Sequence, residues 1–142
     1  MNHKEFTAPC GIDCFNCEVF ESNLTDENRA RFSAAFKLAP EAVACKGCRA
    51  SDGCRLHWGK CDTLDCVKDK GIEFCHECTE FPCAMLCPSA ESAQRYPHNL
   101  KLYNLCRMKQ LGIEKWAQEA AENRKRYFKG MFVVGKGPVI EQ

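Results

Sequence analysis

Cysteines provide most of the chemistry that this sequence offers. Twelve of the 13 cysteines lie between Cys10 and Cys87, nearly all in pairs and triplets. The recurring unit is a pair of cysteines separated by two residues, which occurs three times. Two such thiolates reach one tetrahedral ion from a single tight turn, whose backbone amides hydrogen-bond the sulfurs. The repeated pairs therefore predict bound metal, while their spacing leaves the identity of the metal open.

The candidate ligands share one residue type and one segment of the chain. They are Cys10, Cys14, Cys17, Cys45, Cys48, Cys54, Cys61, Cys66, Cys75, Cys78, Cys83 and Cys87. Zinc suits closed sites of four thiolates, so we expect about two to three zinc ions. The spacing does not fix the grouping. A working arrangement gives one ion to Cys45, Cys48, Cys61 and Cys66, and a second to Cys10, Cys14, Cys17 and a later cysteine. Cys75, Cys78, Cys83 and Cys87 then supply the remainder.

Histidines and the last cysteine have different expected roles. His57 is a candidate ligand, and His76, between Cys75 and Cys78, is expected near metal without binding it. His3 and His98 are expected to be surface or capping residues. Cys106 lies on a predicted apolar helix face, so we expect a small buried side chain that binds no metal.

Iron-sulfur clusters, radical enzymes and disulfides are the alternatives to zinc for a cysteine-rich sequence. The run from Cys75 to Cys87 is close to that of bacterial ferredoxins, but its middle spacing is four residues instead of two, so an iron-sulfur electron carrier or redox sensor stays an alternative. The triplet from Cys10 to Cys17 has the spacing of radical S-adenosylmethionine enzymes, whose barrel needs far more chain than 142 residues. Disulfide frameworks are typical of secreted proteins. The sequence contains no signal peptide or membrane-spanning stretch, so a reducing cytoplasm is expected and no membrane partner.

Motifs of common enzymes do not occur in the sequence. It has no glycine-rich phosphate loop, nucleophile elbow or HExxH motif. All-cysteine ligand sets are typical of closed structural zinc sites, so the predicted function is a non-enzymatic zinc-binding protein whose biological role is left open. An interaction module with a protein partner and a zinc-dependent nucleic-acid-binding protein are both compatible with it.

Charge divides the chain into two regions. Residues 1–92 contain 10 basic and 15 acidic residues, whereas residues 93–142 contain 10 and 4. We therefore expect a cysteine-rich region over 1–92 and a basic helical region over 93–142 that packs on it as one compact unit. Arg124, Lys125, Arg126 and Lys129 flank Tyr127 and Phe128, an arrangement that suits nucleic acid. We favour instead a solvated helix end with both rings packed inward, because positive charge is favourable there.

The elements that must position the cysteines are mostly helical. Apolar periodicity and capping residues predict helices over 25–39, 63–70, 82–86, 99–112 and 113–128. Thr25 or Asp26 is expected to cap the first of these helices, Asn99 to cap the fourth and Gly112 to end it. The buried faces are predicted to carry Phe32, Ala35, Phe36 and Ala39 in the first helix and Trp116, Ala117, Ala120, Ala121 and Tyr127 in the last. Residues 131–134 form an apolar run that is a strand or a packed tail. The expected fold is mainly α: metal-stapled loops and short helices, then a C-terminal helical hairpin, with a small α+β fold as the alternative.

Several motifs occur in an order that resembles one known family. The segments are Cys10-Gly-Ile-Asp-Cys14-Phe-Asn-Cys17, Cys45-Lys-Gly-Cys48 and Cys75-His-Glu-Cys78-Thr-Glu-Phe-Pro-Cys83. Together they resemble the bacterial and archaeal family catalogued as domain of unknown function 3795, over residues 10 to 87. The resemblance implies a small cytosolic protein that binds zinc and has no established activity. Many members have a further cysteine pair where this chain has His57-Trp58, which leaves open whether His57 or Cys54 completes the central site.

Overall fold

The structure is a computed structural model that describes residues 1–54, 56, 60–135 and 137–140. Backbone contacts divide the chain into two units. The first contains Met1–Pro9 and Asp13–Glu73, and the second joins Cys10–Ile12 to the chain from Phe74 onward. This division by contacts falls 19 residues before the change in charge at residue 92, and it places the last four predicted ligands with the basic helices.

Regular structure in the described residues is mainly helical, as predicted. The α-helices are α1 (Asp26–Phe36), α2 (Asp62–Asp69), α3 (Lys101–Leu111) and α4 (Ile113–Lys129). Single turns of 3-10 helix lie at Cys14–Asn16, Pro40–Ala42, Cys75–Glu77, Ala84–Leu86 and Pro97–Leu100. Strands β1 (Gly130–Val133) and β2 (Gly137–Ile140) pair antiparallel, with Gly130 opposite Ile140. Of the apolar run 131–134, residues 131–133 therefore belong to a strand, and a hairpin turn follows it. Within the described residues, no helix has the length and apolarity to cross a membrane.

In the first unit, α1 begins at a side-chain cap. The Thr25 hydroxyl accepts a hydrogen bond from the backbone N–H of Asn28, at 3.1 Å. Phe32 and Phe36 stack 6.0 Å apart and are partly buried against the core of this unit. The other two residues predicted for the buried face, Ala35 and Ala39, are exposed because the helix contacts the core along a narrow stripe and ends at Phe36.

Replacing Thr25 with alanine is expected to lower the free energy of unfolding by about 1 kcal/mol, because it removes this cap. Denaturant unfolding of the protein at fixed zinc concentration measures the difference. Thr25→Ser keeps a hydroxyl that can accept the same bond and should stay close to wild type. Equal losses in the two variants would contradict a role for the cap.

A small apolar cluster of the first unit lies beside the cysteine loops. Val19, Val43 and Leu56 are its buried members, and Cys17 and Cys45 pack against them. An isolated parallel bridge crosses this apolar cluster: the Cys45 N–H donates to the Val19 carbonyl at 2.9 Å, and the Cys45 carbonyl accepts from Glu21 at 2.8 Å. The bridge brings the chain that follows Cys17 beside the chain that leads to Cys48.

In the second unit, α3 and α4 form the predicted helical hairpin. They join at Gly112, whose φ of +80° allows the sharp reversal. Leu105 and Met108 of α3 and Trp116 of α4 are buried. An ion pair also connects α3 to α4: the Arg107 guanidinium donates to both carboxylate oxygens of Glu119, at 2.7 and 2.9 Å.

Three predictions for this unit are wrong in detail. Ala121 and Cys106 are exposed, whereas Asn104 and Asn123 occupy buried positions. Asn99 does not cap α3: its side chain instead bonds the backbone N–H and carbonyl of Ser89 at 2.8 and 3.0 Å.

The helix predicted after Phe81-Pro82 is also shorter than expected. It is the single turn Ala84–Leu86, so the proline precedes the helix and does not occupy its first turn. The turn buries Leu86 and leaves Cys83 and Cys87, on either side of it, exposed.

Candidate metal centre

Five of the predicted ligands form a cluster in the first unit, which we call the Cys14 cluster. Its members are Cys14, Cys17, Cys45, Cys48 and Cys54. The Cys14 thiol is hydrogen-bonded to the Cys48 side chain, and the charges of Cys14, Cys17 and Cys45 all act on the Cys54 thiol. Residues that are more than 30 positions apart in the sequence are thus neighbours.

Two tight loops carry four of these cysteines. The turn Cys14–Asn16 closes with a hydrogen bond of 2.9 Å from the Cys17 N–H to the Cys14 carbonyl. In the other loop Gly47 has a φ of +93°, and a Cβ built on it would lie 4.0 Å from the Cys14 Cβ. The loops therefore contact each other at Cys14. In the sequence Gly47 indicated only a loop, although its place between Cys45 and Cys48 could have marked a tight turn between two metal ligands.

Backbone amides donate to several of the sulfurs, as the two-residue spacing predicts. The Gly47 N–H donates to the Cys45 Sγ at 3.4 Å, and the Glu80 N–H donates to the Cys78 Sγ at the same distance. The Cys48 N–H donates to the Cys14 sulfur and the Leu56 N–H to the Cys54 sulfur. Such donors favour the thiolate, the form of cysteine that binds metal.

Other forces oppose charge on these sulfurs. The hydrogen bond with the Cys48 thiol, followed by burial, raises the pKa of Cys14 well above its usual range. Burial raises the pKa of Cys54 to about 12, and the neighbouring Cys45, Cys14 and Cys17 add to the increase. Negative charge can accumulate in this cluster only where a positive charge compensates it.

The donor set fits zinc in chemistry and in part in geometry. In the described part of the chain, no three Cys, His, Asp or Glu side chains are placed as they stand to hold an ion. Zinc-sulfur bonds are about 2.3 Å, so two thiolates on one tetrahedral ion lie about 3.8 Å apart. Hydrogen-bonded thiols have similar separations, and the Cys14 and Cys48 thiols form such a pair.

The last four predicted ligands and Cys10 lie in the second unit. The Cys78 N–H donates to the Cys75 carbonyl at 3.1 Å, which closes the turn Cys75–Glu77. Cys75 is buried, Cys78 and Cys10 are partly buried, and Cys83 and Cys87 are exposed. The working arrangement that placed Cys10 on one ion with Cys14 and Cys17 thus joins residues that belong to different units.

The remaining candidates lie at α2, in the turn Cys75–Glu77 and outside the described residues. Cys61 precedes α2 and Cys66 lies within it, and the charge of Cys48 acts on Lys68 of that helix, so the working arrangement that joins Cys48 to Cys61 and Cys66 stays a prediction. His76 stacks on Phe74 with ring centroids 5.6 Å apart, and burial lowers its pKa. The candidate ligand His57 lies outside the described residues.

The basic strip at the end of α4 has one buried and one exposed ring. Tyr127 is buried, and its hydroxyl donates to the Ala93 carbonyl at 2.9 Å. Phe128 is 36% exposed, with the Arg124 guanidinium 5.7 Å from its ring centroid. The expectation that both rings pack inward is therefore wrong for Phe128. Since Arg126 pairs with Glu122 at 3.7 Å, the strip offers a single ring and fewer cations than its sequence suggests.

Comparison with protein families gives one match. A family model described as "Protein of unknown function (DUF3795)" matches residues 6–88, which is more than half of the chain and includes all 12 predicted ligands. Neither the curated proteins nor the solved structures contain a match to this chain.

Proposed function

We propose that this chain, which belongs to the DUF3795 family of proteins of unknown function, binds zinc through cysteine thiolates and uses the metal to hold its own fold together. The observation that carries the proposal is the thiol pair of Cys14 and Cys48. These two sulfurs come from separate loops of two-residue spacing and are neighbours, which supports their assignment to one ion.

The first ion would be held by Cys14, Cys17, Cys45 and Cys48. Zinc supplies two positive charges there and no redox chemistry. Its charge would compensate the thiolates that burial and mutual repulsion otherwise disfavour, so metal binding would release protons from these residues. Four thiolates fill a tetrahedral coordination sphere, which supports a structural role because no position is left for a substrate.

The fifth member of the cluster is available as an alternative ligand. The Cys54 thiol interacts electrostatically with three of the four residues assigned to the ion. It also lies two residues before Leu56, a buried member of the small apolar cluster, so the metal and the apolar cluster would stabilise the same segment. We propose the cytoplasm as the compartment, since its reductants keep thiols available for zinc.

Metal analysis tests this proposal. Protein purified without oxygen should be colourless and contain about two to three zinc ions per chain. Cys14→Ser should lose about one of them, because it removes one of four ligands from a closed site. Cys106→Ser is the matched control: this exposed thiol lies on the surface of α3, and its replacement should leave the zinc content unchanged. Brown protein with stoichiometric iron and acid-labile sulfide would overturn the zinc proposal in favour of an iron-sulfur cluster.

A further inference from the structure

We propose that the opening cysteine triplet serves two different ions. Cys14 and Cys17 belong to the Cys14 cluster, whereas Cys10 joins Cys75 and Cys78 in a second site, with Cys83 or Cys87 as the fourth ligand. The inference rests on the proposed zinc function and assigns ligands within it. A sequence interval of only three residues would then separate ligands of different ions.

The residue after Cys10 is anchored on α3. Gly11 has a φ of +92°, and a Cβ built on it would lie 2.7 Å from the Lys101 carbonyl oxygen and 2.9 Å from the Leu105 Cγ. The Asn104 side chain, 1% exposed, donates to the Gly11 carbonyl at 2.7 Å. Contacts this close leave Cys10 little freedom to move away from the first turns of α3.

The same helix supports the later cysteine pair. The turn Cys75–Glu77 packs against α3. The Lys109 ammonium of α3 lies 5.8 Å from the ring centroid of Phe81, just beyond the pair. Helix α3 thus holds both Cys10 and the loop of Cys75 and Cys78.

The number of ligands that zinc requires supports the same assignment. Cys75 and Cys78 supply two thiolates, and the Glu80 N–H already donates to the Cys78 sulfur. A tetrahedral zinc site needs two more ligands. Cys10 is the one cysteine of the opening triplet in this unit, and Cys83 and Cys87 follow within nine residues of Cys78. In the first unit, Cys14 is already paired with Cys48.

Zinc content of double variants tests the assignment in the full chain. Cys10→Ser, Cys78→Ser and Cys14→Ser should each lose about one ion. The double variant of Cys10 and Cys78 should lose no more than either single variant, because one ion is lost once. The double variant of Cys10 and Cys14 should lose about two ions, because two sites are broken. The opposite pattern would overturn the assignment and leave the zinc proposal intact, whereas wild-type protein without zinc would reject the zinc proposal itself.

A measurement on wild-type protein guards against variants that fail to fold. Zinc is removed slowly with a chelator in the presence of N-ethylmaleimide, and alkylation of each cysteine is followed by peptide mass spectrometry. Ligands of one ion lose protection together, so Cys10 should be alkylated at the rate of Cys78. Alkylation of Cys10 at the rate of Cys14 would overturn the assignment.

Discussion

Removing zinc with a chelator is expected to unfold the first unit. The apolar cluster beside its cysteine loops is small, with Val19, Val43 and Leu56 as the buried members, and α1 contributes no fully buried side chain to it. Structural zinc sites bind with apparent free energies of about 10–16 kcal/mol. Whole domains are stable by only about 5–15 kcal/mol, so the loss should be comparable to the entire stability of this unit.

Backbone NMR spectra recorded before and after chelation show the effect directly. The dispersed signals of residues around Cys14 and Cys48 should collapse, and return when zinc is added back. Much of the far-ultraviolet helical signal should persist, because α3 and α4 pack around Trp116, which is fully buried. Cys106→Ser, with its thiol removed from the surface, should respond to chelation as wild type does. An unchanged melting temperature and spectrum after complete metal removal would reject a structural role for the metal.

Gly11→Ala is expected to lower the free energy of unfolding by about 2–6 kcal/mol. The positive φ at this position costs a residue with a Cβ about 1–3 kcal/mol. Overlap of the new methyl group with the surrounding atoms adds about 1–3 kcal/mol. The nearest atom is the backbone oxygen of Lys101, at 2.7 Å, which cannot move without distorting α3. The side chain of Leu105 is buried and has little room to give way.

A variant at a second glycine distinguishes the cost of backbone strain from the cost of atomic overlap. Gly112 also has a positive φ, +80°, but a Cβ built there meets no atom within 4 Å. Gly112→Ala should therefore show the strain alone and cost less than Gly11→Ala. Denaturant unfolding of both variants at the same zinc concentration makes the comparison. Equal costs would contradict the close packing of Gly11 on α3.

Local patterns predicted the helices well, because capping and periodicity act over a few residues. The Thr25 cap, the Gly112 turn and the burial of Trp116 follow from such signals. In α3 the burial of Leu105 and Met108 agrees with the prediction, but Cys106 was wrongly expected to be buried, because Asn104, a polar residue, occupies the buried face. Counting apolar residues alone shifted that face toward Cys106, which is exposed.

The grouping of cysteines could not be predicted, because contacts across long stretches of chain decide it. The bridge between Phe20 and Cys45 places the loop of Cys48 beside Cys14. Spacing within a motif says that two sulfurs can share an ion, but it carries no information about which distant pair completes the site. Spacing suggested α2 as the partner of the Cys48 loop, but it gave no sign that the thiol of Cys48 is hydrogen-bonded to that of Cys14.

The hydrogen bond between Asn104 and Gly11 also determines when the segment around Gly11 can fold during synthesis. The two residues are 93 positions apart in the chain. At about 5–20 residues per second, the ribosome needs about 5–20 s to make that interval. During this time Gly11 has no helix to pack on, and the neighbouring Cys10 thiol is open to oxidants and to other metals. The earliest cysteine of the chain is thus among the last to reach its final environment.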